Sequence, residues 1–239
     1  MNKIVVANLK NNLSTGDIDK YLNIIDKKIN SNNVIICPTS IYLPYFLKHN
    51  FQVGAQDIYY ENDNCTGEVT PKQYKSFGVT CSLIGHSERR SNLKESDDII
   101  NKKVLATLEN KMGAILCIGE TLEDRSLMKT DVVLKRQIFN ALIGVHDTNN
   151  LVIAYEPVWA IGSNRIPDLN DIDKTAFYIK ALVKKFTNVD NVMVLYGGSV
   201  NPENVKDIIN LKGISGVLVG SQSKDPNKLL DIIEVVVNQ

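Results

Sequence analysis

Soft and imidazole donors are scarce in this chain of 239 residues. Histidine occurs three times and cysteine four times, and Cys37, Cys65, Cys81 and Cys117 include no C-x-x-C pair. Such spacing argues against a zinc site, so no metal is expected, and a chain of this length does not rest on a disulfide framework. Charge of one sign is not in excess. The 27 basic and 27 acidic residues leave a formal net charge of zero. That balance argues against nucleic acid or an anionic membrane as the main partner. It does not exclude a small anion held by a local site. No run approaches the ~18 apolar residues of a membrane-spanning helix. The start, Met1-Asn2-Lys3 followed by Ile4-Val5-Val6-Ala7, lacks the longer apolar stretch of a signal peptide, so the cytoplasm is the expected location. There is no linker rich in Pro, Gly or Ser and no close repeat. No G-x-G-x-x-G follows the first apolar run, which weakens a dinucleotide-binding reading.

What the chain does have is short apolar runs with helical stretches between them. Its hydrophobic content of 44% suffices for a sizeable core. Eight runs begin near Ile4, Val34, Phe51, Ser82, Ala114, Leu151, Val192 and Gly216. Periodic segments at 17–29, 97–110, 171–186 and 202–211 lie between them. Within 97–110, Ile99, Ile100, Val104, Leu105 and Leu108 recur at helical spacing. Thr130-Asp131, Asn201-Pro202 and Asp225-Pro226 read as helix starts, a polar cap before the first turn. Strand-then-helix units of roughly thirty residues predict parallel winding. Eight of them predict an α/β fold of the (β/α)8 type, a TIM barrel forming a single domain over residues 1–239. An open doubly wound sheet is the alternative.

Polar residues follow the strand ends. Asn8-Leu9-Lys10 follows the first run and Gly85-His86-Ser87-Glu88-Arg89-Arg90 the fourth. Glu156 follows the sixth, Gly197-Gly198-Ser199 the seventh and Gly220-Ser221 the eighth. In a barrel all five lie on the C-terminal face, where active sites of this fold are built. Taken singly, each has an ordinary reading: Lys10 as a solvated cation, His86 as a core histidine, the glycine pair as a plain turn. Those readings weaken together, because one face supplies a cation, an imidazole, a carboxylate and two loops that expose backbone. Glu156 ends an apolar run and leads into the stiff step Pro157-Val158-Trp159, then Ala160-Ile161-Gly162. That pattern looks like a base under a lid, which sheds water when the lid shuts. Backbone N–H groups at Gly162, Gly198-Ser199 and Gly220-Ser221 would make an anion nest, with phosphate as its natural guest.

With these residues in hand, the chain closely resembles the triosephosphate isomerase family from end to end. The matching pieces are Asn8-x-Lys10, Gly54-Ala55-Gln56, Thr66-Gly67-Glu68, Ile84 to Arg90, Cys117-Ile118-Gly119-Glu120, Ala154 to Gly162, Tyr196 to Val200 and Leu218 to Ser221. The resemblance implies interconversion of dihydroxyacetone phosphate and glyceraldehyde 3-phosphate without metal or organic cofactor. Carried over by motif, Glu156 removes a proton next to the carbonyl and His86 polarises that carbonyl. Lys10 and Asn8 steady the enediolate, and Gly162, Ser199, Gly220 and Ser221 hold the phosphate. Ser87, Glu88 and Cys117 are supporting residues, and Pro157, Val158, Trp159, Ala160 and Ile161 open the lid loop. A helix opening at Ser87 would disfavour the imidazolium of His86. The resemblance further implies a homodimer through the long third loop, from Asp57 to Val69, with Glu68 and Arg89 matching a supporting ion pair.

The chain also departs from the family pattern. Leu9 replaces an aromatic residue between Asn8 and Lys10, and Ser221 replaces a glycine. The lid tip reads Ser163-Asn164-Arg165-Ile166-Pro167. Family members latch the lid from a tyrosine hydroxyl, here Tyr196, to a backbone N–H where this chain has Pro167, which has none. A weaker or rerouted latch is expected. A Schiff-base aldolase using Lys10 and a non-catalytic barrel acting as a scaffold are the competing readings, and intact Asn8, Lys10, His86 and Glu156 argue against the second.

Overall fold

The computed structural model describes residues 3–26, 28–29, 31–61, 64–163, 165–187 and 189–237. Its strands are β1 (Ile4–Asn8), β2 (Val34–Cys37), β3 (Gln52–Ala55), β4 (Cys81–Ile84), β5 (Gly113–Ile118), β6 (Leu151–Tyr155), β7 (Met193–Tyr196) and β8 (Gly216–Val219). Each begins within one residue of the run that predicted it. All neighbours are parallel, and β8 pairs with β1, Ala7 lying opposite Val219, so the sheet closes into a barrel. The open-sheet alternative is thereby excluded.

Helices α1 (Thr15–Ile25), α2 (Leu43–Phe46), α3 (Pro71–Phe77), α4 (Ser87–Asn92) and α5 (Asp97–Glu109) wrap the first half. The second half carries α6 (Leu122–Ser126), α7 (Thr130–Ala141), α8 (Leu169–Thr187), α9 (Val205–Ile209) and α10 (Pro226–Val237). Side chains alternate across each strand, so the barrel has two cores. Val6, Ile35, Leu83, Ile115, Ala154, Leu195 and Leu218 form one cluster together with the sulfurs of Cys37, Cys81 and Cys117. Their strand neighbours, such as Val5, Ala7, Ile36, Ile84 and Leu116, join the larger cluster against the helices. Burial pushes the thiol of Cys81 up to about 12, so it behaves as an inert apolar group.

Two helical expectations need correction. The segment 202–211 does not start at Asn201-Pro202. Asn201 and Asn204 instead exchange side-chain bonds, each backbone N–H donating to the other's Oδ1 at 2.9 Å, and α9 begins only at Val205. The reciprocal pair is a capping box, and the Val205 N–H donates to the Asn201 carbonyl at 3.1 Å, so the chain does turn at Asn201 and only the regular helix is delayed to Val205. In α5 the deeply buried positions are Ile100, Lys103, Val104 and Thr107, while Ile99, Leu105 and Leu108 are only partly buried. A lysine thus sits on the buried face. Its Nζ lies 2.6 Å from both Asp57 Oδ2 and Glu95 Oε1.

Candidate active site

Lys10 stands two residues past the end of β1 and takes a left-handed backbone, φ 50°. That conformation costs a side-chain-bearing residue about 1–3 kcal/mol, so its surroundings must hold it. They do so at both ends of the residue. The Lys10 N–H donates to Asn8 Oδ1 at 3.0 Å, and its carbonyl accepts from Thr39 Oγ1 and Gln56 Nε2, each at 2.8 Å. The ammonium is therefore aimed by backbone strain held in place, and it pairs with the Glu88 carboxylate. Leu9, between the two, is fully buried in the outer core.

His86 caps the N-terminus of α4. The Glu88 N–H donates to its Nδ1 at 3.2 Å, which leaves Nε2 as the proton-bearing nitrogen of the neutral ring. Nε2 lies 3.2 Å from Glu156 Oε1. Burial pulls the imidazole pKa down, but the charge and hydrogen bond of Glu156 pull harder, and the net direction is upward. The expected effect of the helix end is present in the amide bond to Nδ1, but the facing carboxylate outweighs it here.

Glu156 is 3% exposed, and its Oε2 is buried without a hydrogen-bond partner among the described residues. Two glycines make room for it. A Cβ on Gly119 would stand 1.8 Å from the Glu156 carbonyl oxygen, and one on Gly197 would stand 2.8 Å from Glu156 Cγ. Gly119 is itself held by Gln137, whose side chain bonds both its N–H and its carbonyl. Cys117 is buried beside Glu156, and burial drives its thiol pKa well up, the carboxylate adding to the effect. Ser87 lies next to Cys117 and Glu156 around a small hollow.

Asn8, Lys10, His86, Glu156, Gly162, Ser199, Gly220 and Ser221 line one cleft of about 60 Å³. The structure brings together all eight residues named from the sequence. Gly162 has φ +64°. Ser221 opens a 3-10 turn to Lys224, and its φ is not positive, so serine in place of glycine carries no backbone strain. Ser223, missed from the sequence, ties this turn to β1: its Oγ donates to the carbonyls of Asn8 (2.9 Å) and Gly220 (2.6 Å). Its own carbonyl accepts from the Tyr21 hydroxyl at 2.7 Å. A contact between residues more than 200 apart leaves no local pattern to read.

The lid stem is anchored from below. Pro157 leads into a turn at Val158–Ala160. Trp159 Nε1 donates to Glu120 Oε1 at 2.8 Å, and Ser199 Oγ donates to the Ala160 carbonyl at 2.5 Å. The Tyr196 hydroxyl is buried and unpartnered among the described residues, while Pro167 is buried. Asn164, at the lid tip, lies outside the described residues. Arg89 pairs within the chain to Asp57 (2.8 Å) and Glu95 (2.7 Å), and not to exposed Glu68. The intrachain network satisfies the guanidinium first.

A closed (β/α)8 barrel whose mouth gathers a buried carboxylate, an imidazole and an ammonium around a phosphate-sized cleft defines an enzyme of proton transfer on a small substrate. The family model described as Triosephosphate isomerase matches residues 3–236. The triosephosphate isomerase of Thermodesulfovibrio yellowstonii is 39% identical over 97% of this chain and 98% of its own length. That of Mycoplasmoides gallisepticum is 38% identical over 98% of each chain, and that of Aquifex aeolicus 36% identical over 98% and 99%. This chain belongs to the triosephosphate isomerase family.

Proposed function

We propose that this protein interconverts dihydroxyacetone phosphate and D-glyceraldehyde 3-phosphate through an enediolate, as an isomerase of glycolysis. Glu156 takes the proton from the carbon beside the carbonyl. His86 donates its Nε2–H to the carbonyl oxygen and shuttles protons between the two oxygens. Lys10, seconded by Asn8, lowers the energy of the negative charge that grows there. The N–H groups of Gly162, Ser199, Gly220 and Ser221 hold the phosphate, and residues 157–161 begin a lid that keeps water from the intermediate. The observation that carries this reading is the 3.2 Å approach of Glu156 Oε1 to His86 Nε2 beside Lys10. A carbonyl-bearing substrate entering between them meets base on one side and acid on the other. The chemistry moves protons only, and these side chains supply base, acid and countercharge without a metal or organic cofactor.

We further propose a cytoplasmic homodimer. No helix among the described residues is long and apolar enough to cross a membrane. A cleft of about 310 Å³, lined by Asn11, Gln56, Glu88 and Arg89, opens beside Lys10, and the third loop of a second copy is its fitting occupant.

Turnover of glyceraldehyde 3-phosphate in deuterated water tests the reaction. Rapid isomerisation should place deuterium at carbon 1 of the ketose, and Glu156→Gln should abolish it. No turnover in the wild-type protein would refute the activity. An imine trapped on Lys10 by borohydride would favour the aldolase reading.

A further inference from the structure

Tyr21, on α1, is buried with its ring tilted against Phe46, the centroids 6.2 Å apart. Its hydroxyl donates at 2.7 Å to the carbonyl of Ser223, 202 residues away, inside the turn Ser221–Lys224 that follows β8. The chain around that carbonyl offers it no donor. In a continuing helix the N–H three or four residues on would serve. Three on is Pro226, which has no N–H. Four on is Asn227, whose N–H donates to Asp225 Oδ1 at 3.0 Å. Ser223 is fully buried, so bulk water does not reach it. Burial, with the charge of Asp225 adding to it, pushes the phenol pKa far up, so the Tyr21 hydroxyl keeps its proton and stays a donor. The other polar groups of Ser223 face the site. Its N–H donates to the Gly220 carbonyl at 2.9 Å, and its single Oγ proton is shared between that carbonyl at 2.6 Å and the Asn8 carbonyl at 2.9 Å. The Gly220 carbonyl and the Ser221 N–H belong to one planar peptide unit. Holding the first therefore fixes the direction of the second.

We propose that Tyr21 is a positioning residue for the phosphate group of the substrate: its hydroxyl fixes Ser223, Ser223 fixes the Gly220 carbonyl, and the rigid peptide thereby aims the Ser221 N–H. The inference deepens the phosphate-holding role proposed for this turn and rests on it. Without the hydroxyl, the Ser223 carbonyl is a buried acceptor with no partner, and the turn must rotate to find one. That rotation carries the Ser221 N–H off the anion. It leaves the proton chemistry in place, because Glu156 and His86 stand on other segments and Lys10 keeps its bonds to Asn8, Thr39 and Gln56. The loss should therefore fall on substrates that carry a phosphate and spare those that do not.

The kinetic part rests on the isomerase reading, so the test carries a second readout free of turnover. Tyr21→Phe removes one oxygen and keeps the ring beside Phe46. It is compared with the wild-type protein for melting temperature, for the dissociation constants of inorganic phosphate and of glycerol 3-phosphate, an unreactive phosphorylated alcohol, and for KM and kcat on glyceraldehyde 3-phosphate. Glyceraldehyde, the same triose without its phosphate, is followed by deuterium uptake in deuterated water. Tyr21→Phe should weaken binding of both anions by about tenfold and raise KM for glyceraldehyde 3-phosphate by a similar factor, with little change in kcat. On glyceraldehyde its kcat/KM should fall by less than about twofold. Wild-type anion affinity and KM in the variant, or an equal fall on both substrates, would overturn the proposal whatever the melting temperature, since the hydroxyl would then serve the fold alone. If the variant does not fold, the hydroxyl proton of Tyr21 in the wild-type protein decides by NMR: saturating inorganic phosphate should shift it, and an unmoved resonance overturns the proposal. A wild-type protein that binds phosphate but fails to turn over triose phosphate would instead refute the activity, while the anion affinities still test the tie from Tyr21.

Discussion

At the scale of the residue, the site is a matter of placement. Glu156 is held by its backbone, its N–H donating to the Ile118 carbonyl at 2.7 Å, and by the gaps left at Gly119 and Gly197. Shortening it to Asp keeps the charge and withdraws the carboxylate by about 1 Å, which should cost on the order of 10²-fold in kcat with the fold intact. Steady-state kinetics on Glu156→Asp at wild-type melting temperature makes the check, and unchanged turnover would remove Glu156 from the role of base. His86 supplies a second prediction. Its folded pKa is raised because Glu156 faces it, so any stability it contributes is present below its ordinary value near 6.5 and is lost as pH rises through the raised value. A bound phosphorylated ligand that separates the two groups removes the hydrogen bond and should bring the pKa down, as followed by nitrogen chemical shifts of the ring. A pKa that stays put or climbs on binding would contradict that geometry. The residues proposed to do the chemistry could be picked out of the sequence because each stands at a strand end inside a distinctive motif. Thr39, Gln56, Gln137 and Ser223 received no role, since what they do is bond to a backbone distant in sequence.

At the scale of the element, strands were more readable than helices. A buried parallel strand is a short apolar run with sharp ends, and all eight starts fell within a residue. Helix faces are set by what packs on them, and α5 shows the consequence. Apolar periodicity passes over Lys103, although that lysine is 4% exposed. It bridges the loop after β3, through Asp57, to the α4–α5 connection, through Glu95, and Arg89 of α4 touches the same two carboxylates. Two cations thus meet two anions under the helix that His86 caps. Burial raises the Asp57 pKa even against the pull of Lys103. Lys103→Met would leave Asp57 and Glu95 sharing only Arg89, with Asp57 Oδ1 and Glu95 Oε2 already unpartnered among the described residues. Breaking a buried pair from one side costs about 3–5 kcal/mol, and urea unfolding at fixed protein concentration should show a loss of that order. A loss below about 1 kcal/mol would mean that the methionine repacks the site as well as the network fills it.

At the scale of the whole molecule, closure of the barrel explains why one face holds every group proposed to react, and that much followed from counting strand-helix units. Assembly did not follow from counting. A third loop with an exposed Glu68 and Thr66 is, in a single chain, only an uncovered loop, and no periodicity in it states what it meets. The physical argument for a second copy is the neighbouring cleft. Lys10 and His86 line both the small reacting cleft and the open one of about 310 Å³, so water reaches the ammonium from the open side unless something fills it. A low-dielectric surround would strengthen the field of Lys10 on the enediolate, and a partner's loop covering the open cleft would supply one. Gly67 is the place to test this, because it turns the loop at φ +89°, a conformation closed to a β-branched residue, while a side chain there meets nothing within 4 Å in its own chain. Gly67→Val should therefore leave the barrel folded and misdirect the loop. If the proposed dimer completes the site, the wild-type protein sediments as a dimer whose melting temperature rises with concentration, and the variant sediments as a monomer with kcat/KM lower by on the order of 10²-fold. A wild-type monomer of full activity at every concentration would show that Lys10 works exposed to solvent and that the loop's occupant is not another copy of this chain.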